Sequence, residues 1–205
     1  QVSQGAANFY QSAGADYWAA SASQSSSLSG VWGSASTEAG NYYGQSAATI
    51  SYGNSVNDID VYQYAYATDA YPAYAEAYQY TYIDVNSYGY ADTTATNGYQ
   101  TIDDYSDVFD GVIEAQQYGT ADSYGAYGSQ GASISGAWGG AFTSAYDAYG
   151  NYAATDSWFG FGGALSASQQ AEIGDNWWGY EAEASQETLI VGTEGQAWTR
   201  AGDAD

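Results

Sequence analysis

The chain has 205 residues and a formal net charge of -23, from 24 Asp plus Glu against one basic residue, Arg200. It holds no Cys, Met, His or Lys, which excludes thiol and imidazole nucleophiles, Schiff bases, P-loops, zinc sites and haem ligation by His or Met. The acidity sets aside nucleic acid and anionic membrane as partners, and no stretch approaches the roughly 18 apolar residues that span a bilayer.

Carboxylates, hydroxyls and one arginine are what remains for catalysis, so the expectation is a protein that is not an enzyme. Ile, Leu, Val and Phe together occupy only 24 positions, against 24 Tyr and 7 Trp. A thick aliphatic core is out of reach. Any interior must be thin and built from small side chains, with rings supplying most of the apolar area. The chain begins at Gln1 rather than Met, which suits a secreted product after signal-peptide removal and equally a boundary set elsewhere.

From Ser23 the sequence repeats. "SQSSSLSGVWGSASTEAGNYYGQSAATISY" (Ser23 to Tyr52) lies over "SQGASISGAWGGAFTSAYDAYGNYAATDSW" (Ser129 to Trp158) at an offset of 106, and the ungapped overlap of 99 positions carries 31 identities, where this composition gives about ten by chance. The chain therefore divides into repeat units 1–106 and 107–205. Asp16, Asp69, Asp122 and Asp175 fall 53 apart, each two residues before an aromatic (Trp18, Tyr71, Tyr124, Trp177), so each unit reads as two weaker sub-repeats. These aspartates are expected to close equivalent turns. Trp32 and Trp138, in "SGVWG" and "SGAWG", read as core anchors, with a sugar-stacking platform as the other use.

The stretch "IDVYQYAYATDAYPAYAEAYQYTYIDV" (Ile59 to Val85) alternates with period two. Ile59, Val61, Gln63, Ala65 and Ala67, then Ala75, Ala77, Gln79, Thr81, Ile83 and Val85, share one face. Tyr62, Tyr64, Tyr66, Tyr74, Tyr78, Tyr80 and Tyr82 share the other. That is a pair of two-faced strands around the turn signal at Asp69 and Pro72. A second turn is signalled by Asn97-Gly98, since Asn-Gly accepts positive φ. The tyrosine face is expected to pack against another sheet or subunit, because a dozen exposed rings exceed what a monomer usually tolerates. Facing Gln or Asn amides can bond to their equivalents on stacked rungs.

"TIDDYSDVFDG" gathers Asp103, Asp104, Asp107 and Asp110. Several carboxylate oxygens together suit Ca²⁺, although the EF-hand spacing is absent and a solvated acidic linker is the plainer reading. No other cofactor is indicated. Near the C-terminus, Leu189 to Val191 is the one concentrated aliphatic run, read as an ordinary strand or one exchanged with a neighbouring subunit.

Several segments resemble the curlin repeat of bacterial surface fibres, with its Gln, small residue and polar residue at fixed spacing: Gln11 with Ala13 and Asp16, Gln63 with Ala65 and Ala70, Gln117 with Gly119 and Asp122, and Gln170 with Asp175. Asp stands where that family has Asn, the closing Gln is mostly missing, and the unit of about 53 is longer than the family's. The resemblance implies stacked β-strands, packing roles for Gln11, Gln63, Gln117 and Gln170, and a functional-amyloid type of assembly.

The expected fold is all-β, a repeat-built β-solenoid or stacked β-sheet, with two tandem β-sandwich domains as the alternative. The expected function is a secreted structural subunit at the cell surface or in a biofilm matrix. It would self-assemble as a homopolymer through strand pairing and Tyr/Trp packing, with matrix polysaccharide as a possible further partner. A carbohydrate-binding adhesin module is the alternative.

Overall fold

The computed structural model describes residues 1–15, 18–41, 44–69, 73–122, 124–176 and 179–202, with backbone only at 175–176 and 179–180. Among them are nine strands: β1 (Val2–Ser3), β2 (Ala6–Ala15), β3 (Ala19–Gly40), β4 (Ser46–Thr68), β5 (Tyr74–Thr96), β6 (Gln100–Asp122), β7 (Gly125–Asp147), β8 (Tyr152–Asn176) and β9 (Gly179–Gly202). They form one antiparallel sheet in chain order from β3 to β9, with β1 and β2 both beside β3. The fold is all-β and its sheet is continuous across residues 106 and 107, which lie inside β6. One core cluster joins Leu28 and Ile59 to Ile134 and Leu165. Two tandem sandwich domains, each with its own core, are therefore not what forms.

Strands of 22 to 25 residues would reach about 75 Å if straight. Instead the sheet folds back on itself at a line of irregular register, between Leu28 and Gly30, Gly53 and Val56, Val85 and Tyr88, Gly136 and Gly139, and Gly160 and Gly163. Bulges bend strands and tighten their twist. The bends of β4, β6 and β8 place Ser55, Asp110 and Phe161 in the left-handed region, at φ of 51°, 49° and 57°, and Gln4 between β1 and β2 does the same at 52°. Each long strand thus supplies one arm to each of two facing layers.

The layers touch through rows of identical or similar residues. In one, a glutamine row runs Gln11, Gln24, Gln63, Gln79, Gln117, Gln130, Gln169, Gln186, each in register with the next. Beside it runs an aliphatic row, Leu28, Ile59, Ile83, Ile113, Ile134, Leu165, Ile190. In the other layer a threonine row, Thr37, Thr49, Thr93, Thr143, Thr155 and Thr199, is interrupted once, by Asp104 between Thr93 and Thr143.

Shape complementarity between the layers is residue by residue. The aliphatic row faces glycines: a methyl added at Gly89 would stand 2.8 Å from Ile83 Cγ2, and one at Gly139 2.7 Å from Ile134 Cγ2. Where the second layer carries Ile102 in an otherwise alanine row, the first answers with Gly119 and Gly128, whose added methyls would meet Ile102 Cγ2 at 2.9 and 2.8 Å. A thin interior of this kind is what 24 large aliphatic and Phe residues can fill, and close packing makes each methyl count.

The inward set is the one period two predicts in the Ile59 to Val85 stretch: Ile59, Gln63, Ala65, Ala67, Ala75, Ala77, Gln79 and Ile83 are fully buried. A shift of 106 carries β3, β4 and β5 onto β7, β8 and β9, and half that shift corresponds to one hairpin of two bent strands.

Candidate functional site

The glutamine row is held by side-chain amides across strands. Gln11 Nε2 donates to Gln24 Oε1 at 2.7 Å, Gln63 to Gln79 at 2.8 Å, Gln79 to Gln117 at 3.2 Å and Gln169 to Gln186 at 3.3 Å. The same amides reach the opposite layer: Gln63 Nε2 to Ala35 O, Gln79 Nε2 to Ile50 O, Gln117 Nε2 to Ala91 O and Gln169 Nε2 to Ala141 O. Of the glutamines singled out by sequence, Gln11, Gln63 and Gln117 stand in the row. Gln170 does not; it faces solvent, and its neighbour Gln169 is buried in the row instead. Gln79, placed on the inward face by alternation, stands in the row as well; Gln24, Gln130 and Gln186 were missed, although the same alternation could have found them.

The row ends open at both sides of the sheet. At one side stands β9, which among the described residues pairs only with β8. Within the chain it pairs with β8 as an ordinary strand, with Ile190 packed toward the core and Leu189 and Val191 exposed. At the other side stands β2, with β1 covering only Trp32 and Gly33 of the second arm of β3. These two edges are consecutive steps of the repeat. Residues 2 and 3 pair with Gly33 and Trp32 as Val108 and Phe109 pair with Gly139 and Trp138. Gln11 pairs with Gln24 as Gln117 pairs with Gln130. In the 106-residue pattern β9 is the counterpart of β5, and β2 is the counterpart of the second arm of β6, the strand next to β5.

The tyrosines lie on the outer surface of the glutamine layer, not between the layers. Tyr62 and Tyr80 are exposed; Tyr64, Tyr66, Tyr74, Tyr78 and Tyr82 are half-covered by one another and by neighbours. Tyr62 and Tyr78 rings are 6.1 Å apart, Tyr66 and Tyr74 6.2 Å, and Tyr80 Oη donates to Glu114 at 3.1 Å. Burial pushes the Tyr64 and Tyr74 phenols up.

Trp32 and Trp138 are not core anchors. Both point outward beside the bend, Trp32 half-covered and Trp138 exposed, while the adjacent Gly33 and Gly139 face the aliphatic row. Trp138 stacks on Phe109 at 6.1 Å and 6°. Of the aspartates expected to close turns, Asp122 does so: its Oδ1 accepts from the backbone N–H groups of Tyr124 and Gly125. Asp16, Tyr71, Pro72, Trp177 and Trp178 lie outside the described residues.

The four aspartates considered for Ca²⁺ do not converge. Asp103 and Asp107 face outward, Asp104 faces the interior, and Asp110 sits at the bend. Among the described residues no group of three or more carboxylates is arranged around a metal. A different pair forms instead, Asp92 with Asp103 from the neighbouring strand. Burial, then the like charge of Asp103, pushes Asp92 up to about 7, and burial also raises Asp103. Burial raises Asp107 to about 6 against hydrogen bonds from the Gly140 N–H and Tyr105. Asp104 is fully buried, which drives its pKa well up against a smaller opposing pull from Thr143, and neither carboxylate oxygen finds a hydrogen bond of good geometry. No helix is long and apolar enough to cross a membrane among the described residues.

No known protein family, curated protein or solved structure matches the chain.

Proposed function

We propose that this protein is a secreted structural subunit that polymerises head to tail, β9 of one copy pairing with β2 of the next, into an extracellular fibre or matrix layer. The observation that supports it is that the two open edges are consecutive steps of the same repeat. Set side by side in the β5–β6 manner, Gln186 of one copy meets Gln11 of the next, and Ile190 meets Ala7. The amide and aliphatic rows then continue without a break. Unpaired edge strands are ordinarily blunted by lysines, prolines or short length; β9 is 24 residues long with neither.

Charge fits this joint as well. β9 carries Glu181, Glu183, Glu187 and Glu194, whereas β2, "AANFYQSAGA", carries no charged residue. Two β9 edges would repel each other, so the heterologous contact is favoured over the symmetric one, and a heterologous contact that does not close grows a filament. The likeness to curlin repeats is, in this reading, a likeness of stacked-glutamine chemistry. Assembly rests on the edges, with the tyrosine face available for lateral packing of filaments.

Electron microscopy of the purified chain tests the proposal. Eight strand rows at about 4.8 Å each give an axial repeat of about 38 Å per subunit. Thr188→Pro on β9 or Gln11→Pro on β2 should abolish filaments, with circular dichroism reporting the strand content that survives. A monodisperse particle under every condition tried would sink the reading.

A further inference from the structure

Three exposed tryptophans stand on one diagonal of the outer face of the threonine layer. Trp158 lies across from Gly140 on β7 and from Gln196 on β9, and Trp198 across from Asp156; Trp138 directly precedes Gly139, the partner of Phe159, so extending that register sets it level with Gly160. From strand to strand the line therefore shifts by two residues each time and is straight, with neighbouring rings about 8 Å apart at the Cβ level. All three are 38–41% exposed. Between the first two, Trp138, Gly139, Trp158, Phe159, Gly160 and Asp107 line a groove of about 370 Å³. The position between Asp107 and Trp158 is Gly140, with no side chain to fill it.

The fold does not require this stripe. At the equivalents of Trp158 and Trp198 the first half of the chain has Tyr52 and Asp92, and it forms the same bent strands with the same inward rows. The aromatic row is thus a property of the second half's surface. Polar groups flank it: Asp156 is the strand-to-strand neighbour of Trp198, and Asp107 that of Gly140.

We propose that the Trp138–Trp158–Trp198 stripe binds an extended, uncharged polysaccharide chain, whose sugar rings lie flat on the indoles while Asp107 and Asp156 accept hydrogen bonds from its hydroxyls. Flat rings in a row on a rigid sheet match a ligand that is itself flat, repetitive and amphipathic, with apolar C–H faces and hydroxyl edges. Carboxylate acceptors strengthen hydroxyl contacts. The same carboxylates, within a chain of net charge -23, repel uronate or sulfate polymers. The stripe crosses a face of the sheet and only its last ring, Trp198, stands on the edge strand β9, so the part formed by Trp138 and Trp158 does not depend on polymerisation.

The experiment is titration of the full chain with a soluble neutral β-glucan and a soluble mannan, read by Trp fluorescence and calorimetry, with alginate as the anionic probe. Saturable binding to at least one neutral polymer, and none to alginate, is expected. Trp158→Ala should weaken it at least tenfold, Trp158→Tyr, the first half's own residue, should weaken it less, and Trp32→Ala, at the repeat position equivalent to Trp138 but off the stripe, should leave it unchanged. Because Trp158→Tyr copies a residue the fold already accepts, it keeps the test sound if the alanine variant unfolds. The proposal is overturned if neither neutral polymer binds, if alginate binds equally, or if Trp32→Ala matches Trp158→Ala. It is also overturned if Trp158→Ala changes only the association state seen by sedimentation, which would make the stripe a contact between copies.

Discussion

Gln63 donates its amide hydrogen to Gln79 Oε1 at 2.8 Å, and both side chains are completely buried between two layers of one folded sheet. Gln79 in turn donates to Gln117 and to the carbonyl of Ile50 in the facing layer. Gln63, Gln79, Gln117 and Gln169 therefore each tie neighbouring strands and both layers at once. Gln79→Ala removes an acceptor and a donor and leaves one N–H of the Gln63 amide without its acceptor in a dry interior, the other still bonded to Ala35 O, so it should destabilise by about 2–4 kcal/mol. The exposed Gln170→Ala should stay within about 0.5 kcal/mol. Chemical denaturation of the two variants checks the contrast.

Much of this interior was legible in the duplication. Gln24/Gln130, Ala35/Ala141, Thr37/Thr143, Thr49/Thr155, Ser51/Ser157, Gln63/Gln169, Ala91/Ala197 and Thr93/Thr199 are identities at the 106-residue offset, and all face inward. Outward positions differ freely, as Tyr52/Trp158 and Asp92/Trp198 do. What the pattern could not reveal is the bend. A bulge changes the residue count without changing alternation on either side, so the folding of 23-residue strands into two arms left no periodic signal. The bend also shifts register: the counterpart of Gln79 in β9 is Gln186, one residue beyond the ungapped offset, because β5 has two residues at its bend, between Val85 and Tyr88, where β9 has one, between Gly192 and Glu194. The Trp138–Trp158–Trp198 line was hidden for the same reason, since it appears only when antiparallel neighbours are placed side by side.

Phe161 occupies the left-handed bend of β8 at φ 57° with its ring 79% exposed. A bulky side chain there carries strain of about 1–2 kcal/mol with little burial to offset it. Phe161→Gly should therefore stabilise the fold, by about 1 kcal/mol after the added chain entropy of glycine in the unfolded state. A lower denaturation midpoint would show that the bend is set by neighbouring strands rather than by local φ.

Gly89 sits where a methyl would approach Ile83 Cγ2 to 2.8 Å and Val85 Cγ2 to 3.3 Å. With both neighbours themselves fully packed, Gly89→Ala should cost about 1–3 kcal/mol through overpacking. Combining it with Ile83→Ala removes the Cγ2 methyl that the added group meets, so the double variant should be more stable than the sum of the singles predicts. Strict additivity would argue that the layers separate to accept the methyl.

Asp104 interrupts six threonines with a fully buried acid that lacks a good hydrogen bond. Asp104→Thr completes the row and removes the cost of keeping an acid dry, so it should raise stability at pH 7 by about 1–3 kcal/mol. Asp104→Asn, equally polar but uncharged, should recover part of that gain. The Asp104→Thr gain should shrink at acid pH, where the native carboxyl is already protonated and the charge cost vanishes. Denaturation of both variants at pH 4.5 and pH 8 measures this difference.

The wild-type protein should itself be an acid-stabilised fold. Asp92, Asp103, Asp104 and Asp107 all hold raised native pKa values, with Asp92 at about 7 and Asp107 at about 6, against about 3.9 in the unfolded chain. A raised carboxyl binds more protons folded than unfolded, so its stabilising effect is complete below about pH 4 and is lost as pH rises through 6 to 7. The unfolding free energy from urea denaturation should therefore fall between pH 4.5 and pH 8, by about 2–4 kcal/mol in total. Asp92→Asn should flatten the upper part of that profile by removing the like-charge pair with Asp103. Edge-to-edge polymerisation should share the direction, because net repulsion at -23 weakens with acid, with added salt and with Ca²⁺. Light scattering at pH 7 in low salt should accordingly show slow growth that each of the three accelerates. Growth indifferent to all of them would separate the assembly from electrostatics and leave strand pairing alone as its driving force.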